Sequence, residues 1–134
     1  MTVAVDTNVL LDLLTGRGPE AQKAEAALVA EQSKGELVIC EIVYAELAAA
    51  FGGDAHRLDA FLGDAQIRLL HTPREALATA GRLWRQYRTE GGPRTRVVAD
   101  FLVAAHALAA AEGLLTRDRG FYAKRFKDLR IITP

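Results

Sequence analysis

Short apolar runs alternate with stretches of helical spacing along the chain, and this alternation constrains the fold more than any other feature. Residues 2–5 form a β-branched apolar run, and apolar residues at helical spacing follow it after Asp6. Four further apolar runs follow, at residues 36–40, 67–70, 114–116 and 131–132. Short apolar strands separated by helices indicate a parallel sheet covered on both faces, so the predicted fold class is α/β.

Glycine and proline residues mark the boundaries between the predicted elements. Pro19 opens the second helix, because proline suits the first helical turn, and Gly35 ends it. Pro73 opens a long helix that ends at the GGP sequence of residues 91–93. An alanine-rich helix over residues 98–112 is apolar on most of its circumference, so we expect it at the centre of the fold. No long linker interrupts this order, and residues 1–134 are interpreted as one domain.

Composition and charge exclude two classes of protein. The 134 residues include 17 lysines and arginines and 17 aspartates and glutamates, so the net charge is zero. A neutral chain is neither a uniformly basic nucleic-acid module nor a polybasic membrane-surface protein. There is no apolar stretch of about 18 uncharged residues and no signal pattern, and the single cysteine, Cys40, cannot form an internal disulfide. We therefore expect a cytoplasmic protein without a membrane segment.

Four acidic residues occupy positions where a solvated carboxylate is not expected. Asp6 and Asp118 each follow a predicted strand, whereas Glu46 and Asp100 lie within apolar helical segments. A carboxylate in such a segment needs a cation or a hydrogen-bonding partner, because burying it alone is costly. The remaining acids, Glu31 among them, are expected on solvated helix surfaces.

The positions of these four acids allow them to face one crevice. Parallel sheets gather ligands at the carboxyl ends of their strands, beside the point where the strand order reverses. Clustered carboxylates repel one another unless a divalent cation neutralises them, and an all-oxygen set fits Mg²⁺ or Mn²⁺ better than Zn²⁺. The alternative is local: Asp6 and Asp100 cap helices, and Asp118 starts a turn. Glu46 is unsuited to capping, which favours the metal site.

Four segments together resemble a known family of nucleases. They are VDTNVL at residues 5–10, YAEL at 44–47, ADFLVAAHA at 99–107 and LTRD at 115–118. In this order they resemble the PIN-domain nucleases, and the chain length is similar to that of the VapC toxins of type II toxin–antitoxin systems. The resemblance implies a PIN-like three-layer α/β/α sandwich with a central, mainly parallel sheet.

The resemblance also implies an activity and a set of site residues. It implies a Mg²⁺- or Mn²⁺-dependent endoribonuclease that cleaves structured RNA, forms a homodimer and is blocked by a VapB-like antitoxin. The implied catalytic acids are Asp6, Glu46, Asp100 and Asp118, and the metal is expected on Asp6, Asp100 and Asp118. The implied supporting residues, which act through hydrogen bonds, are Thr7, Asn8 and Thr116. One position departs from the family: many relatives have a further acid where this chain has Gly120.

The neutral total conceals two oppositely charged halves. Residues 1–67 contain 4 basic and 11 acidic residues, and residues 68–134 contain 13 basic and 6 acidic residues. Arg94 and Arg96 precede the helix of Asp100, and Arg117 is adjacent to Asp118. Because arginine grips phosphate bidentately, Arg94, Arg96 and Arg117 are predicted to bind RNA. A further arginine series at spacing three is equally well interpreted as a solvated face: Arg82, Arg85 and Arg88.

Two other functions remain open at this point. Asp6 could accept a phosphoryl group, as in phosphatases of the haloacid-dehalogenase type, but those enzymes need an acid two residues later and Asn8 occupies that position. Alternatively, the chain is an inactive PIN-like module that binds RNA or protein. Retention of all four acids argues against this module, because idle carboxylates in a crevice only reduce stability.

Overall fold

A parallel sheet lies at the centre of the molecule. The computed structural model describes residues 1–93 and 97–134. In these residues all four strand pairings are parallel, and the strand order is β3-β2-β1-β4-β5. The strands are β1 (Thr2–Val5), β2 (Glu36–Ile39), β3 (Ile67–Leu69), β4 (Gly113–Leu115) and β5 (Ile131–Ile132). The predicted α/β class with a parallel sheet is therefore confirmed.

Seven helices flank the sheet in the described residues, and the arrangement agrees with the expected α/β/α sandwich. The helices are α1 (Thr7–Thr15), α2 (Gly18–Gln32), α3 (Glu41–Ala50), α4 (Ala55–Ala65), α5 (Arg74–Thr89), α6 (Val98–Ala110) and α7 (Arg119–Arg125). The alanine-rich α6 is the central helix that its composition predicts, because residues 103–107 are all buried. It packs against α5, α3 and β1. Among the described residues, no helix is long and apolar enough to cross a bilayer.

The strand order reverses between β1 and β4, and this reversal determines where a site forms. The chain builds outward from β1 to β2 and β3, and then returns to the other side of β1 with β4 and β5. At the carboxyl ends, the Asp6 N–H donates to the carbonyl of Leu115 at 2.9 Å. Beyond β4, the Thr116 N–H donates to Ile132 at 3.0 Å. The residues that follow β1 and β4 are thus held side by side.

Three details differ from the sequence-based expectations. The central helix ends at Ala110, two residues before the predicted end, because the Glu112 N–H donates to Thr2 at 2.8 Å and leads the chain into the sheet. The strand β4 accordingly begins at Gly113. The expectation that Glu31 is solvated is wrong, since its side chain is 6% exposed and pairs with Lys34 at 3.2 Å.

The core contains an aromatic cluster and a buried thiol. Phe101 of α6 contacts the rings of Trp84, Tyr87, Phe121 and Phe126 at centroid separations of 5.4 to 5.6 Å. This cluster joins α5, α6 and α7, and it places α7 next to the carboxyl end of the sheet. Burial of the Cys40 thiol, which follows β2, raises its pKa to about 11, so this cysteine is protonated at neutral pH.

Candidate active site

Asp6 lies at the junction of β1 and α1. It adopts an extended conformation at the N-cap of α1, and its Oδ1 accepts the N–H of Thr7 at 2.8 Å. The other oxygen, Oδ2, accepts a hydrogen bond from the Thr116 hydroxyl at 2.8 Å and a longer one from Asn8 Nδ2 at 3.4 Å. Asp6 therefore caps the helix, as the local alternative predicts, and its carboxylate also takes part in a network that crosses from β1 to β4.

The surroundings of Asp6 disfavour its negative charge. Burial raises the pKa of its carboxyl above the ordinary value, and hydrogen bonds from Thr116 and the Thr7 N–H partly oppose this effect. The charges of Glu46 and Asp100 raise the pKa further. A carboxyl group that is only 7% exposed and lies near two other acids is a place where a cation would relieve repulsion.

Glu46 extends from the second turn of α3 and is fixed by a threonine of the first motif. The Thr7 hydroxyl donates to Glu46 Oε1 at 2.7 Å. This contact joins α1 to α3 between residues that are far apart in sequence. Thr7 is itself buried at 7% exposure, so the Glu46 carboxylate is held by a rigid donor.

Asp100 and Asp118 complete the acidic group. Asp100 lies in the first turn of α6, where its Oδ2 accepts the Val97 N–H at 3.1 Å. Asp118 occupies the N-cap position of α7, and its N–H donates to the Thr116 hydroxyl at 3.0 Å. Thr116 thus contacts Asp6 with its proton and the Asp118 backbone with its oxygen lone pair.

The four predicted acids line a single cleft of about 280 Å³. Thr7 and Asn8 also line it, and Thr116 is fully buried among their hydrogen bonds. Apolar side chains form the remainder of the wall: Leu11, Val97, Ala99 and Val103. The structure therefore brings together the acids and supporting residues that the sequence analysis singled out.

The donors in this cleft fit a hard divalent cation. Carboxylate and hydroxyl oxygens are present, whereas the residues that line the cleft include no histidine or cysteine. In residues 1–93 and 97–134, no group of three or more acidic, histidine or cysteine side chains is arranged to hold a metal ion by itself. Mg²⁺ and Mn²⁺ bind through a few carboxylates together with water and substrate oxygens, so an open acidic cleft matches their coordination.

The predicted RNA-binding arginines have different outcomes. Arg94 and Arg96 lie outside the described residues. The Arg117 side chain is half-exposed, and its Nε lies 2.6 Å from Oδ2 of Asp12, a residue of α1 that the sequence analysis did not single out. The signal that could have found Asp12 is its spacing of four residues from Asn8, which places both on one face of α1.

Comparison with known proteins assigns the family. Residues 3–127 match the PIN domain family. The chain belongs to this family. A comparison with curated proteins found no match.

Several solved structures are similar to this PIN-domain chain. VapBC2 from Rickettsia felis, bound to a DNA fragment from its promoter, has a TM-score of 0.78 at 21% identity, covering 99% of this chain and 98% of the other. VapBC-1 from nontypeable Haemophilus influenzae has a TM-score of 0.75 at 23% identity, with coverage of 99% and 98%. Mycobacterium tuberculosis VapC20, a toxin that cleaves the sarcin-ricin loop, has a TM-score of 0.63 at 18% identity, with coverage of 96% and 98%. At these identities the likeness concerns the fold.

Proposed function

We propose that this PIN-domain protein is a Mg²⁺- or Mn²⁺-dependent endoribonuclease that acts as the VapC-type toxin of a toxin–antitoxin system. The observation that carries the proposal is the meeting of Asp6, Glu46, Asp100 and Asp118 in one cleft at the reversal point of a parallel sheet. The residues come from four separate segments, so their convergence is a property of the whole fold. We interpret residues 1–134 as one such domain.

Each acid has a distinct place in the proposed mechanism. Asp6, Asp100 and Asp118 hold the cation, and Thr116 and Asn8 fix the Asp6 carboxylate by hydrogen bonds. When bound, the metal lowers the pKa of water and polarises the scissile phosphodiester. Glu46, whose position is fixed by Thr7, orients the attacking water or removes its proton.

Three arginines that lie close in sequence to Asp100 or Asp118 are proposed to hold the RNA backbone. Arg94 and Arg96 precede α6, and Arg117 is 52% exposed next to Asp118. The Arg117 salt bridge to Asp12 engages Nε, so a phosphate contact through the rest of the guanidinium is compatible with this pairing. Bidentate contacts of this kind position a phosphate without reading the base sequence.

The solved relatives support one proposed partner, an antitoxin. Structures of similar proteins are complexes of VapB with VapC, which supports a VapB-like antitoxin as the natural inhibitor of this chain. We also propose that the protein forms a homodimer and acts in the cytoplasm, where structured RNA is its substrate.

The two alternative functions have less structural support. In the phosphatase interpretation, a carboxylate would have to stand at the position of Asn8. The Asn8 amide instead donates to Thr116 at 3.3 Å, and its oxygen accepts the Arg117 N–H at 3.1 Å. An acid could not provide that donor, so this position is suited to an amide. An inactive module would have no need for four convergent acids.

One set of assays separates these functions. Purified protein is incubated with structured RNA and with a phosphate monoester, in Mg²⁺, Mn²⁺ or EDTA. We expect RNA cleavage that EDTA abolishes, that disappears in Asp6→Asn and that persists in Asp64→Asn, which neutralises an exposed acid of α4. Phosphate release from the monoester would favour the phosphatase, absence of both activities would favour the inactive module, and full RNA cleavage by Asp6→Asn would refute the assignment.

A further inference from the structure

The turn between β4 and α7 is bound to α1 at two points, one helical turn apart. The Arg117 backbone N–H donates to Asn8 Oδ1 at 3.1 Å, and the Arg117 Nε lies 2.6 Å from Asp12 Oδ2. Asn8 and Asp12 are four residues apart and share one face of α1. One residue of the turn is therefore held through both its main chain and its side chain.

The ion pair has a partner that is largely withdrawn from water. The Asp12 side chain is 15% exposed, whereas the Arg117 side chain is 52% exposed. Pairs between fully exposed charges contribute little, but a partly buried carboxylate that loses its cation retains a desolvation cost. The contact between Asp12 and Arg117 is therefore better suited to fixing a geometry than a pair on the open surface.

The turn that this pair fixes carries a proposed metal ligand. Asp118 directly follows Arg117, and its N–H is held by the Thr116 hydroxyl at 3.0 Å. Thr116 is in turn fixed by the sheet and by Asp6. Among the described residues of this turn, Arg117 is the one whose side chain forms an ion pair with α1.

We propose that Asp12 is a positioning residue of the nuclease site, which acts through Arg117 to hold Asp118 at the cleft. Asp12 is not one of the described residues that line the cleft. Its catalytic effect rests on the proposed function, whereas its effect on the turn does not. The structure offers a control for loss of a surface ion pair in Glu36 and Arg68, both about half-exposed, which lie at the opposite end of the sheet with an N–O distance of 2.5 Å.

The test compares Asp12→Asn, Arg117→Gln, the double variant and Glu36→Gln. Mn²⁺ affinity is measured by electron paramagnetic resonance, RNA cleavage by kcat and KM, and RNA binding by its salt dependence. We expect Asp12→Asn to lower kcat and Mn²⁺ affinity by about ten-fold, as loss of a residue that orients a metal ligand does. The salt dependence of RNA binding should not change. Arg117→Gln should lower kcat by the same factor. It should also reduce the slope of log RNA-binding constant against log salt concentration by about one unit, because it removes a phosphate contact. The double variant has no lower kcat than Arg117→Gln, since both changes break one interaction.

A different pattern overturns the proposal. It fails if Asp12→Asn keeps the kcat and Mn²⁺ affinity of Glu36→Gln, or if the two losses in kcat multiply in the double variant. Hydrogen exchange of the Arg117 and Asp118 amides separates this failure from failure of the proposed function. If the wild-type protein neither cleaves RNA nor binds Mn²⁺, faster exchange at these amides in Asp12→Asn still supports the positioning role, and unchanged exchange rejects it.

Discussion

Thr116 donates its hydroxyl proton to the Asp6 carboxylate across 2.8 Å at a fully buried position. The bond joins the residue after β1 to the residue after β4. It therefore connects the two strand ends between which the proposed site lies, and its removal should affect both stability and activity.

Thr116→Val tests this connection. Valine has the shape of threonine without the hydroxyl, so the buried Asp6 carboxylate loses a donor and the Asp118 N–H loses its acceptor. We expect the free energy of unfolding to fall by about 2 kcal/mol, the value for a hydrogen bond to a charged group, and RNA cleavage to fall with it. Urea unfolding in EDTA measures the change. Thr116→Ser retains the hydroxyl and should behave like the wild type, and equal stability of the valine variant would show that the bond contributes nothing.

Asp6→Asn separates folding from metal binding. Asparagine keeps the volume of the side chain but removes a charge that burial, Glu46 and Asp100 all oppose. In EDTA we expect the variant to be at least as stable as the wild type in thermal unfolding. Mn²⁺ at about 100 times its dissociation constant should stabilise the wild type by about 2.7 kcal/mol and should leave Asp6→Asn unchanged. The exposed substitution Asp64→Asn should respond to Mn²⁺ as the wild type does, and equal Mn²⁺ stabilisation of Asp6→Asn would remove Asp6 from the ligand set.

Gly92 is predicted to be essential for the turn after α5. A Cβ at this position would overlap the Tyr87 ring, which is buried and whose hydroxyl donates to Pro93 at 2.7 Å. Gly92→Ala should therefore reduce the free energy of unfolding by about 1 to 3 kcal/mol. Gly81→Ala is the matched control, because a Cβ there meets open space on the exposed side of α5. It should raise stability by up to about 1 kcal/mol through helix propensity, and a neutral Gly92→Ala would contradict the packing argument.

His106 should make stability depend on pH. Burial lowers the pKa of this histidine, although a hydrogen bond to Leu70 at 2.7 Å and the charge of Glu41 partly oppose the shift. The unfolded chain then binds a proton that the folded chain does not, so stability is lost as pH falls below about 6.5, the pKa of an unperturbed histidine. Between about pH 7 and about pH 5, the free energy of unfolding of His106→Gln, measured with urea, should change less with pH than that of the wild type. Replacement of the exposed His56 by asparagine should leave the pH dependence of the wild type unchanged. The same pH dependence in all three proteins would exclude His106 as its cause.

The fold and the acidic cleft were predictable because both depend on local patterns. Short apolar runs predict the strands, and an acid that directly follows such a run must lie at a strand end, as Asp6 and Asp118 do. Glu46 was predictable because an acid in an apolar helical segment needs a partner, which the structure supplies as Thr7.

The ion pair of Asp12 and Arg117 could not be predicted in the same way. Asp12 lies in an amphipathic helix, where an acid is ordinarily solvated, and its partner is near the other end of the sequence. Burial of Glu31 was missed for a similar reason, because exposure depends on which distant segment covers a helix face. Residue spacing along α1 places Asp12 on the same face as Asn8, but it does not identify the distant segment that covers this face.

The placement of β4 beside β1 also has a consequence during protein synthesis. The first carboxylate of the cleft, Asp6, is made directly after β1, whereas the last, Asp118, is made only after β4, more than 100 residues later. A nascent chain therefore lacks a complete set of acids until the segment after β4 has been synthesised and has left the ribosome. Under the proposed function, the nuclease site is therefore incomplete for as long as the segment after β4 has not been made.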